Sequence, residues 1–211
     1  MPGVFLRRPL SVSLANDGAV EFIYRIVGAG TNSLAELKVG QKLSVLGPLG
    51  NAYLFSNMKG KTPILVAGGT GVASLSFLAS KLKTKSIVFY GTKTAKDIIQ
   101  IDFFKKIGCE VFVATENGSV GTKGFVTDIF MEMLTDYKNP IVFTCGPNAM
   151  ISKVAEICKK NRVNGYASLE EKMACGTGVC QGCVVKINGE YKRVCADGPV
   201  FEISSIIQGL Y

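Results

Sequence analysis

The chain has 211 residues, 47% hydrophobic and 19% charged, which suits one large domain or two modest ones and excludes a disordered tail. Lys and Arg number 24 against 16 Asp and Glu, but they are scattered, without the basic blocks or aromatic–basic interleaving of a nucleic-acid surface. Histidine is absent, which excludes Ser–His and Cys–His nucleophile pairs, His-ligated zinc and Rieske-type clusters, and points to chemistry carried by cofactors.

The N-terminus, MPGVFLRRPLS, has no apolar stretch like that of a signal peptide. No apolar run approaches the roughly 18 residues of a membrane span. A cytoplasmic protein with reduced thiols is expected. Residues 1–57 are rich in strand and turn signals. VEFIYRIV (20–27) is β-branched and aromatic, and KLSVLGPLGN (42–51) reads as a strand running into Gly-Pro and Gly-Asn turns. The pattern predicts a small antiparallel β-sheet or barrel. Within it, Arg8 and Ser11 are suited to an anionic group, by guanidinium fork and hydroxyl. Arg25 and the Gly30-Thr31 turn offer a second such place, although solvated surface arginines would read the same way.

Residues 58–172 change texture. Strand-sized runs at 63–67, 86–90, 110–114 and 141–144 alternate with candidate helices at 72–83, 95–107, 124–136 and 147–161. This predicts a parallel α/β domain with right-handed crossovers, and 167–172 as a last edge strand. Gly68, Gly69, Thr70 and Gly71 join a strand to a helix, where backbone N–H groups bind phosphate or pyrophosphate. The spacing is not G-x-G-x-x-G, and a plain tight turn also fits it. In TCGPNAM (144–150), Cys145 stands at the ligand-binding edge of such a sheet, and Gly146-Pro147 opens the next helix. With no histidine to activate it, Cys145 is not read as a nucleophile. Tyr90-Gly91 and residues 115–118 end strands at the same edge, so four strand ends converge on one crevice. Glu116 favours NAD over NADP, because a carboxylate there would repel a 2′-phosphate.

Residues 173–211 hold four cysteines as C-x4-C-x2-C-x11-C: Cys175, Cys180, Cys183 and Cys195. This is the plant-type [2Fe–2S] spacing. Gly176, Gly178 and Gly182 would let the backbone approach a cluster and aim N–H groups at its sulfurs. Structural zinc and disulfides are the alternatives. Zinc sites more often pair two C-x2-C units, and disulfides suit secreted chains. Asn188-Gly189 between two alternating stretches predicts a hairpin. Cys109 and Cys158 read as small buried hydrophobes.

The ordered set R-P-L-S, I-Y-R, G-x-G-T, G-P-L-G-N, A-G-G-T-G, C-G-P-x-x-M and V-C-A-D-G-P-V-F covers nearly the whole chain. It resembles the electron-transfer subunit of class 1B dihydroorotate dehydrogenase, in the ferredoxin-NADP reductase-like superfamily. The resemblance implies an oxidoreductase subunit of pyrimidine biosynthesis. Its FAD would be held by Arg8, Pro9, Leu10, Ser11, Ile23, Tyr24, Arg25, Gly30 and Thr31. A nicotinamide dinucleotide would lie on Gly68, Gly69, Thr70, Gly71, Cys145, Gly146 and Pro147, and [2Fe–2S] on the four C-terminal cysteines. The implied partner is an FMN-containing dihydroorotate dehydrogenase catalytic subunit, in a heterotetramer. Related NAD(P)H-dependent subunits, of ferredoxin:NADP oxidoreductase or sulfide dehydrogenase, would share these cofactors. A zinc-stapled or degenerate flavin scaffold is the non-catalytic alternative. Members usually carry more strands before R-R-P-x-S, so the barrel is expected to be short by two or three strands and to expose strand edges.

Overall fold

The structure is a computed structural model describing residues 4–55, 58–82 and 84–206. Its frame is a seven-stranded sheet in the order β11-β8-β7-β3-β4-β5-β6. The strands are β3 (Thr62–Gly68), β4 (Ile87–Thr92), β5 (Glu110–Thr115), β6 (Thr122–Lys123), β7 (Pro140–Cys145), β8 (Gly165–Ser168) and β11 (Val200–Glu202). All neighbours run parallel except β11, which pairs antiparallel with β8. The helices between them are α2 (Val72–Lys81), α3 (Ile101–Lys106), α4 (Val126–Met133) and α5 (Asn148–Asn161).

The central strands are apolar without interruption because both faces of the sheet are covered. Alternate residues of β3 divide between two cores. Ile64 and Val66 join Phe89, the α4 residues Val126 and Phe130, and the α5 residues Ile151 and Val154. Leu65 and Ala67 join Val88, Tyr90, the α2 residues Val72, Leu75 and Leu78, and Phe104 of α3. Phe89 stacks on Phe112 at 5.2 Å between centroids and meets Phe130 edge-on at 5.7 Å.

Two hairpins flank this frame. β1 (Val12–Asn16) and β2 (Ala19–Phe22) join through Asp17 and Gly18, both at positive φ, and β1 lies against α2. The predicted Asn188-Gly189 hairpin is present as β9 (Val184–Ile187) and β10 (Glu190–Arg193), with positive φ at both turn residues as a type I′ turn requires. Two short helices, α1 (Ala29–Ala35) and α6 (Ile203–Ile206), complete the fold.

Several expectations need correction. The run at 20–27 is strand only as far as Phe22, and residues 42–50 enter no ladder, so the N-terminal β region is one hairpin with extended loops. It leaves Phe5, Val27 and Val39 exposed. The helix expected over 95–107 is broken: a 3-10 turn covers Ala95–Asp97, and α3 begins only after Gln100, whose φ is 64°. The last strand begins at Gly165 rather than 167, and β11 lies outside it at the edge. Cys158 is buried as expected, whereas Cys109 is half-buried. The helix expected over 72–83 reaches Lys81, and residue 83 lies outside the described residues.

Candidate functional site

The strand ends β7, β3, β4 and β5 are consecutive in the sheet and share one edge. β3 runs into a 3-10 turn at Gly69–Gly71 and then into α2, with Gly69 at φ 53°. Cys145 and Gly146 leave the neighbouring β7 so closely that a Cβ on Gly71 would lie 2.5 Å from the Cys145 carbonyl carbon. A Cβ on Gly68 would lie 2.7 Å from Pro147 Cδ. The glycine loop and the C-G-P turn are therefore packed backbone to backbone, which only glycine permits. Thr70 is half-buried beside them, and Glu116 is exposed two strands away at the end of β5. The Tyr90 hydroxyl donates toward the carbonyls of Gly69 and Asp97 at 3.2 and 3.3 Å, and burial pushes its pKa up to about 12.

Cys145 is fully buried. Burial, then the nearby Glu170 carboxylate, pushes its thiol up to about 12, against weaker hydrogen bonds from Ser74 and Ser168. It is a neutral thiol at physiological pH and not a nucleophile. Glu170 is solvent-exposed, yet crowding by surrounding protein raises its carboxyl pKa. Tyr53 closes this part of the crevice. Its hydroxyl donates to the Thr144 carbonyl at 3.2 Å, and its ring meets Phe143 edge-on. Sequence reasoning missed Tyr53 and Glu170; for Tyr53 the available signal was an aromatic directly after G-P-L-G-N-A.

The N-terminal motif residues fall in two places. Arg8 lies across Gly30, where a Cβ would come within 2.7 Å of its Nε, and Thr31 is buried beside it. The Thr31 hydroxyl is engaged within its own turn, accepting from Val27 N–H at 2.9 Å and donating to the Gly28 carbonyl at 3.0 Å. Leu10 and Ser11 are half-buried, and Pro9 is exposed. Ile23 and Tyr24 are half-buried, while Arg25 pairs with Asp97 at 3.1 Å and faces the β4 end of the crevice. An arginine stacked on a bare glycine backbone, beside a helix start, fits the phosphate-bearing part of a flavin dinucleotide.

The four C-terminal thiols fall into two pairs. Cys175 and Cys180 share one: Cys180 N–H donates to Cys175 Sγ at 3.4 Å, and the side chains are within hydrogen-bond reach. Cys183 and Cys195 share the other, with Cys195 N–H donating to Cys183 Sγ at 3.4 Å. The second pair is buried; Cys180 is exposed and Cys175 half-buried. Two thiol pairs fit a flat two-iron cluster, one pair to each iron. The N–H groups of Cys180 and Thr177 lower the Cys175 thiol to about 5, favouring the anionic sulfur that a metal needs.

The cluster segment is joined to both other regions. β11 pairs with β8 in the main sheet. Asn51 N–H donates to the Gly198 carbonyl at 2.6 Å, and its side-chain amide donates to the Ala196 and Asp197 carbonyls at 3.2 and 3.0 Å. The G-P-L-G-N motif thus lies on the V-C-A-D-G-P-V-F motif.

Comparison with known proteins agrees with this layout. Residues 65–156 match the oxidoreductase NAD-binding domain, and residues 170–207 match the iron–sulfur cluster binding domain of dihydroorotate dehydrogenase B. The chain is 42% identical over 203 residues to the dihydroorotate dehydrogenase B (NAD(+)) electron transfer subunit of Clostridium acetobutylicum, covering 96% of this chain and 80% of that protein. A homolog of that subunit in Aquifex aeolicus is 38% identical, covering 95% and 79%. Among solved structures, an NADH-dependent reduced ferredoxin-NADP oxidoreductase superposes with a TM-score of 0.85 at 32% identity, over 95% of this chain and 74% of that one. The ferredoxin-NADP+ reductase of Plasmodium falciparum, at 18% identity and a TM-score of 0.59, shares the fold over 76% of each chain.

Proposed function

The chain belongs to the family of dihydroorotate dehydrogenase B electron transfer subunits, and from that premise we propose that it relays electrons between NAD and an FMN-containing dihydroorotate dehydrogenase catalytic subunit. Bound FAD would supply hydride exchange with NAD(H) together with one-electron chemistry, and a [2Fe–2S] cluster held by Cys175, Cys180, Cys183 and Cys195 would supply single-electron transfer. No side chain need act as acid or base, which suits a chain without histidine. We assign residues 1–57 to FAD, 58–172 to NAD and 173–211 to the cluster.

The observation that carries this reading is the pairing of the four thiols on a segment bonded through Asn51 to the flavin-side region. In it, Arg8, Gly30 and Thr31 cradle a dinucleotide phosphate, and Pro9, Leu10, Ser11, Ile23, Tyr24 and Arg25 line the remainder of the flavin site. Gly68–Gly71 turns backbone N–H groups to the NAD pyrophosphate, and Glu116 selects against a 2′-phosphate. Cys145, Gly146, Pro147 and Tyr53 exclude water beneath the nicotinamide position. The Cys175–Cys180 pair, half-buried at Cys175 and exposed at Cys180, faces the partner, and the buried Cys183–Cys195 pair faces inward. No helix among the described residues is long and apolar enough to cross a membrane. The four free thiols suit the reducing cytoplasm, where we place the complex.

The test is the visible spectrum of anaerobically purified protein before and after NADH or NADPH. Flavin and cluster absorbance bleached by NADH in preference to NADPH, with an FMN-containing dihydroorotate dehydrogenase subunit co-purifying, is the expected result. A colourless, zinc-containing protein would refute it.

A further inference from the structure

Arg193 holds the centre of the cluster segment. It is the last residue of β10, paired with Val184 and two positions before Cys195. Its carbonyl accepts from the N–H groups of Ala196, Asp197 and Gly198 at 3.2, 2.8 and 3.2 Å, closing the turn that presents Cys195. Its side chain forms a fork on Asp197, Nε to Oδ2 and Nη2 to Oδ1, both at 2.9 Å. The remaining terminal nitrogen, Nη1, donates to the Gly178 carbonyl at 3.1 Å. Gly178 lies between Cys175 and Cys180, and a Cβ there would meet Ala196 Cβ at 2.9 Å and Arg193 Nη1 at 3.2 Å.

We infer that Arg193 is a positioning residue for the iron–sulfur cluster: it ties the turn bearing Cys195 to the loop bearing Cys175, Cys180 and Cys183, and keeps a fixed positive charge inside that loop. The inference rests on the cluster assignment above. Three of the four ligands lie on one loop and the fourth on a distant turn, so the ligand set is only as rigid as the link between them. The guanidinium bond to the Gly178 carbonyl crosses from the turn to the middle of the loop, and the Cys195 N–H bond to Cys183 Sγ crosses at the loop's end. Its planar fork holds Asp197 while leaving a donor for Gly178, a geometry that lysine cannot reproduce. A positive charge near the sulfurs favours the reduced cluster, which carries one more negative charge. The bidentate Asp197 carboxylate fixes the side chain and offsets its charge, so removing the guanidinium leaves an uncompensated carboxylate near the sulfurs.

The test uses the cluster-loaded chain, purified anaerobically and titrated through its cluster potential with electron paramagnetic resonance as the readout. R193Q is expected to lower the ratio of reduced to oxidised cluster about threefold at fixed ambient potential, about 30 mV at 59 mV per tenfold. R193K keeps the charge and is expected to retain the wild-type ratio. R193K and D197N both loosen the link and are expected to lose iron to a chelator about tenfold faster than wild type. R193Q with the wild-type ratio, or R193K and D197N with wild-type iron retention, would overturn the inference. A wild-type chain giving no cluster signal on reduction would instead remove the cluster assignment itself, and the inference with it.

Discussion

Substituting Gly71 by alanine tests the backbone contact between the glycine loop and the C-G-P turn. Gly71 has φ −59°, an ordinary helical value, so alanine brings no backbone strain there. The added Cβ would fall 2.5 Å from the Cys145 carbonyl carbon and 2.7 Å from the Gly146 nitrogen, with the Cys145 carbonyl oxygen nearer still. These are backbone atoms at the end of a central strand, and no rotamer change can clear them. Overpacking typically costs 1–3 kcal/mol, and immovable neighbours put G71A at the upper end, about 3 kcal/mol. For a chain of this length that lowers the melting temperature by about 6–12 °C. NADH binding should weaken in parallel, because the loop can yield only by moving away from β7. G28A is the control: Gly28 is extended at φ 179° with nothing within 4 Å of a Cβ, and its expected effect is within ~0.5 kcal/mol. Thermal unfolding by circular dichroism, with NADH titration, measures both variants. G71A melting within about 2 °C of wild type, or no lower than G28A, would refute the close approach.

Phe89 is fully buried between Phe112 and Phe130, so F89A should cost about 3–5 kcal/mol in urea unfolding. Cys145 and Cys158 are each pushed by burial to about 12 from 9.0, so above pH 9 the folded chain binds more protons than the unfolded one. Stability should therefore fall as pH rises from 9 to 12, by about 1.4 kcal/mol per thiol per pH unit, and C158A should reduce the slope by about half of that two-thiol contribution. In metal-free protein, mass-mapped alkylation at pH 7 should label Cys175 first and leave Cys145 and Cys158 unmodified until unfolding; equal labelling would contradict the low Cys175 pKa of about 5. N51A removes the amide bonds to Ala196 and Asp197 and should speed hydrogen exchange across 193–199, while exchange in β3 and β4 stays unchanged.

Local signals were legible in the sequence. Asn188-Gly189 takes two positive φ angles cheaply, the C-x4-C-x2-C spacing is a property of one short loop, and the apolar run of β3 needs no partner to be recognised. The misread elements depended on partners. Leu43 and Val45 have strand character, but β propensity is not a ladder: residues 42–50 pair with no strand among the described residues, and Ser44 accepts from the Arg7 guanidinium instead. Ile98, Ile99 and Ile101 pack on one core as a helix would place them, yet the chain turns through a left-handed Gln100 between them. The contacts that join the site are non-local. Tyr53 meets Thr144 across 91 positions and Asn51 meets Asp197 across 146, and nothing in the local pattern encodes either.

Ser168 and Val200 stand opposite each other in the β8–β11 register, and everything between them, including the four C-terminal cysteines, leaves and re-enters the sheet at that one pair. A segment whose two ends already touch is an exchangeable cassette, because a short connection could replace it without stretching the frame. The boundary for such an exchange is not β11 itself. α6 packs on α5 and β8 of the frame as well as on β9 inside the cassette, so Ile203 and Ile206 bridge the two and lose contacts whichever side they go with. Cut at Leu169 and after Ile206, the redox centre becomes a portable part, which other parallel sheets with a free edge strand could be built to accept.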